Sequence, residues 1–332
     1  VILLITLAPC IHWHYTANKL LSEALAYPLV LIIFALLLKA VIKLKLSYVT
    51  ITVVLLLLLL LTRGQFIAFL PVILAVVIYI YFKGKNTKSV LKVCFLVLIT
   101  PLLAGFVERA YNKIVFGYYV NNTMNYVHML SANIYVSKSE DFKIFNDEDQ
   151  VNYFKIVYKS LSDVNLTQQL AKPIDEDKLD DIETFEKNFS AINNERVHEL
   201  GLKYFESKGL NYFEQNIALN KLCKSMYLPL LKQNFKNRMI LFYKNLKSTF
   251  SSTKHLILIL VLLVFSMVKL LKEDRDLYKF MALGILLMLA NNTIIAISVH
   301  PISRYTFYFD WLIFAIIMLL LDAYIKNKQY EH

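Results

Sequence analysis

Charged residues and cysteines are both scarce in this sequence. Only 18% of its 332 residues are charged, whereas soluble domains carry about a quarter. Hydrophobic residues make up 57%. The three cysteines, Cys10, Cys94 and Cys223, are scattered and provide neither a disulfide framework nor the spacing of a metal site. A pair between Cys10 and Cys223 is the one pairing left open. The composition therefore excludes an ordinary soluble domain and a disulfide-stapled one.

The hydrophobic residues lie in blocks of nearly membrane-crossing length. A bilayer core of about 30 Å takes about 20 apolar helical residues, and about seven stretches approach that length. Val1–Ala8 resembles the end of a further span, and the chain opens without Met, so we expect an incomplete N-terminus. A signal peptide is the alternative, but no basic segment precedes it. The sequence predicts an all-α polytopic membrane protein with spans at Ala24–Val41, Tyr48–Leu61, Phe66–Phe82, Val93–Val107, His255–Leu271, Tyr278–Ile297 and Tyr305–Ile325.

The net charge of +11 has a topological origin. Lysine and arginine concentrate in short loops that alternation places on one side, which the positive-inside rule makes cytoplasmic. Residues 108–254 then lie outside, between membrane parts at 1–107 and 255–332. This long segment is nearly charge-balanced, so the basic composition does not indicate a nucleic-acid partner. The basic residues of the short loops are Lys39, Lys43, Lys45, Lys83, Lys85, Lys88, Lys92, Lys269, Lys272, Arg275, Lys279, Lys326 and Lys328.

Residues 108–254 predict a mostly helical domain, because they hold too many aromatic residues for a disordered linker. Asn146 is the expected N-cap of one helix. A second helix is predicted over Asp181–Ser207, with Gly209 as its C-cap. A third is expected to begin after Asn211. The acidic stretch 172–181 is predicted to be a solvated loop.

Polar residues at the outer membrane surface are the candidates for function, because ionisable groups near hydrocarbon are costly to retain. Glu23 directly precedes one span, and Arg63 lies in a tight turn between two others. His300, Arg304 and Tyr305 precede the last span, in which Asp310 is a candidate partner for Arg304. The two arginines oppose the positive-inside bias, and a phosphate suits their forked donors; the alternative is that they snorkel to lipid headgroups. His12 and His14 alternate and are candidate metal ligands, although the sequence offers no third ligand.

Three short motifs together resemble a known family. They are Ser22-Glu23-Ala24-Leu25-Ala26-Tyr27-Pro28-Leu29, Leu61-Thr62-Arg63-Gly64-Gln65 and Arg304-Tyr305. This pattern resembles the multi-span GT-C glycosyltransferases, specifically the bacterial branch related to protein mannosyltransferases and aminoarabinose lipid A transferases. The resemblance covers the membrane part, about half of the chain.

The resemblance implies a function in the bacterial inner membrane. A sugar on polyprenyl phosphate is transferred outside the cell to a glycan, lipid or protein acceptor. A carboxylate acts as base, in some members near a divalent metal ion. Glu23 matches an acidic position at the cavity mouth, and Arg63, His300, Arg304 and Tyr305 match positions near the donor phosphate. The family's first outer loop, with the principal base, would precede Val1, so we expect this stretch alone to be inactive. The outer domain also interrupts the spans here, whereas many relatives carry a soluble domain at the C-terminus.

Three other classes of protein remain open. An O-antigen polymerase or ligase-like enzyme uses lipid-pyrophosphate substrates, has many spans, and carries arginine and histidine in a large outer loop. A transporter would need repeated halves or broken spans. The helix-breaking residues well inside the early spans are Pro71, Pro101 and Gly105, and no repeat is visible in the sequence. A non-catalytic membrane assembly protein is the third alternative. For the enzyme classes we expect Glu23, Arg63, His300 and Arg304 to converge on one outward-facing cavity.

Overall fold

The computed structural model describes residues 22–84, 87–170, 185–298 and 303–329, and no strand occurs among them. The predicted partial span Val1–Ala8, the acidic loop at 172–181, and His12, His14 and His300 lie outside these residues. The helices in chain order are α1 Ser22–Lys43, α2 Leu46–Thr62, α3 Phe69–Gly84, α4 Thr87–Phe116, α5 Asn125–Tyr135, α6 Glu148–Asp163, α7 Glu199–Glu206, α8 Tyr212–Gln233, α9 Phe235–Thr249, α10 Thr253–Lys272, α11 Asp276–Ser298, α12 Ser303–Thr306 and α13 Asp310–Gln329.

The described chain divides into two compact units. Unit 1 holds the described residues up to Glu108 together with 250–294 and 303–329, whereas unit 2 holds Arg109–Thr249 and the described part of 295–302. Each unit has its own buried core, and each is described separately below.

Unit 1 contains the apolar helices. Six helical segments of the described chain are long and apolar enough to cross a membrane. The remaining predicted span corresponds to α2, which is apolar but only 17 residues long, the lower end of what crosses a bilayer (about 17 residues). Large side chains such as Leu98, Leu102 and Phe106 are exposed on α4. A surface of this kind is stable in lipid and aggregates in water, so the protein is an all-α, multi-pass membrane protein.

An aromatic cluster fills the interior of unit 1. The rings of Phe66, Phe69, Tyr308 and Phe309 are buried. Phe66 packs edge-to-face on Tyr308 with ring centroids 5.0 Å apart, and Phe69 packs on Phe309 at 6.0 Å. These contacts join the turn after α2 to the start of the last span, because Phe66 follows α2 directly while Tyr308 and Phe309 precede α13.

Unit 2 is helical and has a core rich in aromatic and aliphatic residues. The N-cap of α6 is Asp147, whose side chain accepts from the Gln150 N–H, so the prediction of Asn146 was wrong by one residue. Asparagine and aspartate both cap helices well, and in the structure the helix begins after Asp147. Asn211 caps α8 as predicted, in a capping box with Glu214. Gly209 adopts a positive φ of 82° after α7, the expected C-cap conformation.

A small polar network lies within this core. Asn193 Oδ1 lies 3.1 Å from His128 Nδ1 and accepts from Ser131 Oγ at 2.8 Å. Asn193 and Ser131 are fully buried. Burial lowers the pKa of His128, because the imidazolium loses hydration that the hydrogen bond to Asn193 only partly replaces.

A close helix approach in unit 1 depends on Gly284 of α11. A Cβ at this position would lie 2.5 Å from Leu312 Cδ1 and 3.3 Å from its Cγ, and Leu312 is fully buried. We expect Gly284→Ala to lower the free energy of unfolding by about 1–3 kcal/mol through overpacking, measured as a lower thermal midpoint in detergent. Gly64→Ala is the matched control, since no atom lies within 4 Å of its added Cβ. Equal midpoints for the two variants would contradict the proposed contact.

His128 makes the stability of the protein depend on pH. The unfolded chain protonates His128 near its ordinary pKa of about 6.5, whereas the folded chain protonates it only at lower pH. The unfolded state therefore binds more protons as pH falls below about 6.5, and stability is lost in that window. We expect the thermal midpoint to drop between about pH 7.5 and about pH 5.5, and His128→Gln to reduce that drop. An unchanged drop in the variant would show that other groups cause it.

Candidate functional site

Three helix ends in unit 1 bring charged side chains together. Glu23 lies in the first turn of α1, where the helix dipole favours an acid. Arg63 follows the last residue of α2 in an extended conformation, and its backbone N–H bonds to Leu59 O at 2.9 Å. A cation at this C-terminal end is also favoured by the dipole. Arg304 lies in α12, at the start of the last span.

One carboxylate serves both arginines. Glu23 Oε1 accepts from Arg63 Nη2 and from Arg304 Nε. Ser22 Oγ accepts from Arg63 Nε at 3.0 Å and lies 3.2 Å from the second oxygen, Glu23 Oε2, to which it donates. Asp310 was the partner suggested by sequence for Arg304; the pairing with Glu23 was missed, since the two residues are 281 positions apart.

The cluster carries an excess of positive charge in a largely buried place. The side chain of Glu23 is 1% exposed, that of Arg63 is 10% exposed and that of Arg304 is 52% exposed. Among the described side chains that form these ion pairs, one carboxylate neutralises one of two guanidinium groups, so their summed charge is about plus one. Arg63 therefore combines burial with incomplete neutralisation, and Arg304 gives the same cluster a solvent-accessible edge.

Two buried polar atoms in this cluster are incompletely satisfied. Arg63 Nη1 and Tyr308 Oη make no hydrogen bond of good geometry among the described residues, although the two side chains lie within hydrogen-bonding reach of each other. Tyr308 lies within electrostatic reach of Glu23, Arg63 and Arg304. An unsatisfied buried donor costs about 1–3 kcal/mol, so the cluster favours binding of a further acceptor oxygen.

Aromatic rings surround the charges. The guanidinium carbon of Arg63 lies 5.2 Å from the centroid of the Tyr305 ring, within the range of a cation–π contact. Tyr308 lies within reach of Arg63, and its buried ring packs edge-to-face on Phe66. Because such surroundings screen charge poorly, an anion would feel the arginines more strongly here than in water.

Two amide side chains connect the turn after Arg63 to the segment that bears Arg304. Gln65 Nε2 donates to Asn291 Oδ1 at 2.9 Å and to the Tyr305 carbonyl at 3.3 Å. Asn291 Nδ2 donates to the same carbonyl at 3.1 Å. The sequence patterns assigned neither residue a role. The available signal was the pair Asn291-Asn292 within an apolar span, since polar residues in such spans are costly to retain.

The structure thus brings Glu23, Arg63, Arg304 and Tyr305 into one cluster. The other candidates, His12, His14 and His300, lie outside the described residues. Phosphate binding and catalysis by any of them remain predictions. The divalent metal implied by the resemblance does not fit the described part of the chain: no group of three His, Cys, Asp or Glu side chains there can hold one, and Glu23 is already shared by two cations.

The geometry suits recognition of an anion by two guanidinium groups. Glu23 orients both arginines, Arg63 Nη1 makes no hydrogen bond of good geometry among the described residues, and the half-exposed guanidinium of Arg304 is accessible to a ligand. Guanidinium groups match phosphate oxygens in spacing and charge. Glu23 is the one carboxylate of the described chain that pairs with either arginine, so its contacts are those of a residue that positions the arginines.

Removal of the shared carboxylate tests this charge distribution. We expect Glu23→Gln to destabilise the protein by about 3–5 kcal/mol, because it leaves two guanidinium groups together with no counter-charge. The measurement is the thermal midpoint in detergent. Inorganic phosphate should raise the midpoint of Glu23→Gln more than that of the unaltered protein, since the anion replaces the lost carboxylate. Arg304→Gln is the matched control and should cost less, because it leaves the buried pair of Glu23 and Arg63 intact. A loss in Glu23→Gln no larger than in Arg304→Gln would contradict the shared-carboxylate arrangement.

Comparison with known proteins finds no match for this chain among protein-family models, curated proteins or solved structures. A functional assignment therefore depends on the physical properties of the cluster formed by Glu23, Arg63 and Arg304.

Proposed function

We propose that this protein is a multi-pass membrane glycosyltransferase that moves a sugar from a polyprenyl-phosphate donor to an acceptor outside the cytoplasm. The observation that carries the proposal is the cluster in which Arg63 and Arg304 share the single carboxylate of Glu23. It combines excess positive charge, burial beside aromatic rings and a half-exposed edge at the ends of apolar helices. A lipid phosphate requires these features, since its charge lies at the membrane surface while its chain stays in the bilayer.

The positive-inside rule supports an extracytoplasmic position for the cluster. Glu23 lies at the N-terminal end of α1, whereas Lys39 and Lys43 lie toward its C-terminal end. A helix of this length is about 30 Å long at 1.5 Å per residue, so its two ends lie at opposite membrane surfaces. Short basic loops mark the cytoplasmic side, which leaves Glu23, Arg63 and Arg304 outside. The same rule, applied to alternating spans, is the basis for proposing that residues 108–254 lie outside, and the resemblance to bacterial GT-C enzymes is the basis for proposing the bacterial inner membrane.

The chemistry of transfer explains why two arginines are useful. The acceptor hydroxyl oxygen forms a bond to the anomeric carbon, the bond from that carbon to the phosphate oxygen breaks, and the phosphate leaves with the electron pair. The hydroxyl proton passes to a base. Negative charge grows on the leaving phosphate in the transition state, where fixed donors in a poorly screening site stabilise it. In this proposal Arg63 and Arg304 bind the phosphate, the ring of Tyr305 supports Arg63, and Glu23 positions both arginines.

A second candidate is an O-antigen polymerase or ligase-like enzyme. The observation that favours it is that the one carboxylate described at the cluster is already paired with two arginines. Among the described residues, the carboxylate that pairs with these arginines is already bound to both of them. Such a site suits an enzyme that acts on a lipid-linked phosphate through arginine and histidine. Both candidates use a polyprenyl-linked donor and differ in the phosphate attached and in the acceptor.

Charge reversal at Arg304 tests the shared part of both candidates. We expect Arg304→Glu to weaken binding of polyprenyl phosphate in nanodiscs by about 10- to 100-fold, as expected for loss of about 1.5–3 kcal/mol of charge-assisted hydrogen bonding, while Arg304→Lys weakens it less. The matched control is Arg275→Glu, which reverses an exposed arginine in the loop between α10 and α11. Undiminished binding by Arg304→Glu would sink the proposed function.

The donor separates the two candidates. Full-length protein in vesicles is supplied with a sugar linked to polyprenyl monophosphate or with a glycan linked to polyprenyl diphosphate. Transfer from the monophosphate donor supports the glycosyltransferase, and transfer from the diphosphate donor alone supports the polymerase or ligase.

A further inference from the structure

The last span does not begin as a regular helix. The four-residue α12 is followed by a 3-10 segment, Phe307–Phe309, and only then by α13. At this break the Asp310 N–H bonds to Phe307 O, three residues back and not four. Irregular backbone at membrane depth is stable only where other groups satisfy its polar atoms. Arg304 and Tyr305 lie within this irregular entry, so the position of both depends on what holds it.

Side-chain amides from two other elements hold the carbonyl of Tyr305. Gln65 and Asn291 each donate a hydrogen bond to it, at 3.3 Å and 3.1 Å. They are also bonded to each other, because Gln65 Nε2 donates to Asn291 Oδ1 at 2.9 Å. The three groups form a closed ring of hydrogen bonds. The second amide of α11, Asn292, supports the ring through its Oδ1, which accepts from Asn291 Nδ2 at 3.3 Å.

Burial of these amide groups carries a desolvation cost, so packing alone does not explain this ring of hydrogen bonds. Asn291 is fully buried and Asn292 is 3% exposed, although both lie in an apolar span. Apolar side chains would fill the same space without a desolvation cost. The amides instead fix the carbonyl of Tyr305. The aromatic side chain of Tyr305 stacks on Arg63, and Tyr305 directly follows Arg304, which binds Glu23.

We propose that Gln65 and Asn291 are positioning residues for the anion-binding cluster. By holding the Tyr305 carbonyl they place Arg304 against Glu23 and the Tyr305 ring against Arg63, and so set the spacing of the two guanidinium groups that receive the donor phosphate. The role as positioning residues for phosphate rests on the proposed function. The hydrogen-bond geometry that they maintain does not depend on it.

Gln65→Glu is the sharpest variant, because it keeps the shape of the side chain and removes both donated hydrogen bonds. A carboxylate would face Asn291 Oδ1 and the Tyr305 carbonyl, and both are acceptors. Asn291→Ala is the second variant and introduces no charge, so the test survives if Gln65→Glu fails to fold. Thr100→Val is the matched control, since it removes a buried hydroxyl that bonds only to Leu96 O in its own helix, at 2.7 Å.

The first measurement is binding of polyprenyl phosphate to the full-length protein in nanodiscs. We expect Gln65→Glu and Asn291→Ala each to weaken binding by about tenfold, as for loss of one charge-assisted contact, and Thr100→Val to leave it unchanged. In an Arg304→Ala background the same two substitutions should have a smaller effect, because the part that acts through Arg304 is already lost and only the contact between the Tyr305 ring and Arg63 remains to be disturbed. A purely structural role predicts equal effects in both backgrounds, and that result would overturn the proposal.

The second measurement reports the geometry without any ligand. Trp311 is buried and donates from Nε1 to the Tyr308 carbonyl at 2.9 Å, so it lies directly at the irregular entry. The chain has two tryptophans, and Trp13→Phe leaves Trp311 as the single fluorophore. In that background Gln65→Glu and Asn291→Ala should shift the Trp311 emission, whereas Thr100→Val should not. An unshifted emission in both variants would overturn the positioning role.

The two measurements separate the positioning role from the proposed function. Shifted emission together with undiminished binding in Arg304→Ala would remove the phosphate-transfer function while leaving the structural role of the amides. Weakened binding in Arg304→Ala with unchanged binding in Gln65→Glu would retain the function and remove the positioning role.

Discussion

The shared carboxylate of Glu23 is the interaction on which the candidate site of unit 1 depends. It joins the start of α1, the end of α2 and the start of the last span through Arg63 and Arg304. Two guanidinium groups placed together without a counter-charge would repel each other and lose hydration. With the carboxylate present they lie side by side and retain a net positive charge. The same contact thus stabilises the fold locally and creates the candidate anion-binding site.

The irregular start of the last span follows from the same requirement. At the break between α12 and the 3-10 segment after it, two side-chain amides donate hydrogen bonds to the Tyr305 carbonyl. This arrangement is costly in an apolar environment and is stable because every partner in the ring is hydrogen-bonded. The aromatic cluster below it, including Phe66 and Tyr308, keeps the surroundings dry. The charged cluster, the two amides and the aromatic rings therefore depend on one another.

The predictions from sequence were most successful where local chemistry decides the structure. Apolar runs predicted the membrane helices, because hydrocarbon requires each segment to satisfy its backbone internally. Asn211 and Gly209 predicted helix ends, since capping depends on a few neighbouring residues. The prediction failed by one residue at Asp147, where two adjacent residues cap almost equally well. The convergence of Glu23, Arg63 and Arg304 was expected from the sequence. The direct pairing of one carboxylate with both arginines and the roles of Gln65 and Asn291 were missed, because they depend on contacts across 40 to 281 positions.

The sequence by itself determined the class of protein, the approximate helix boundaries and the identity of the arginines that oppose the charge bias of the loops. These properties follow from hydropathy and from the cost of charge near lipid, and both are read residue by residue. Only the tertiary structure decided that Arg63 and Arg304 share one carboxylate, that this carboxylate is buried, and that two amides hold the intervening carbonyl. Each of these depends on where separate helices end in space, and no local pattern in the chain encodes that distance.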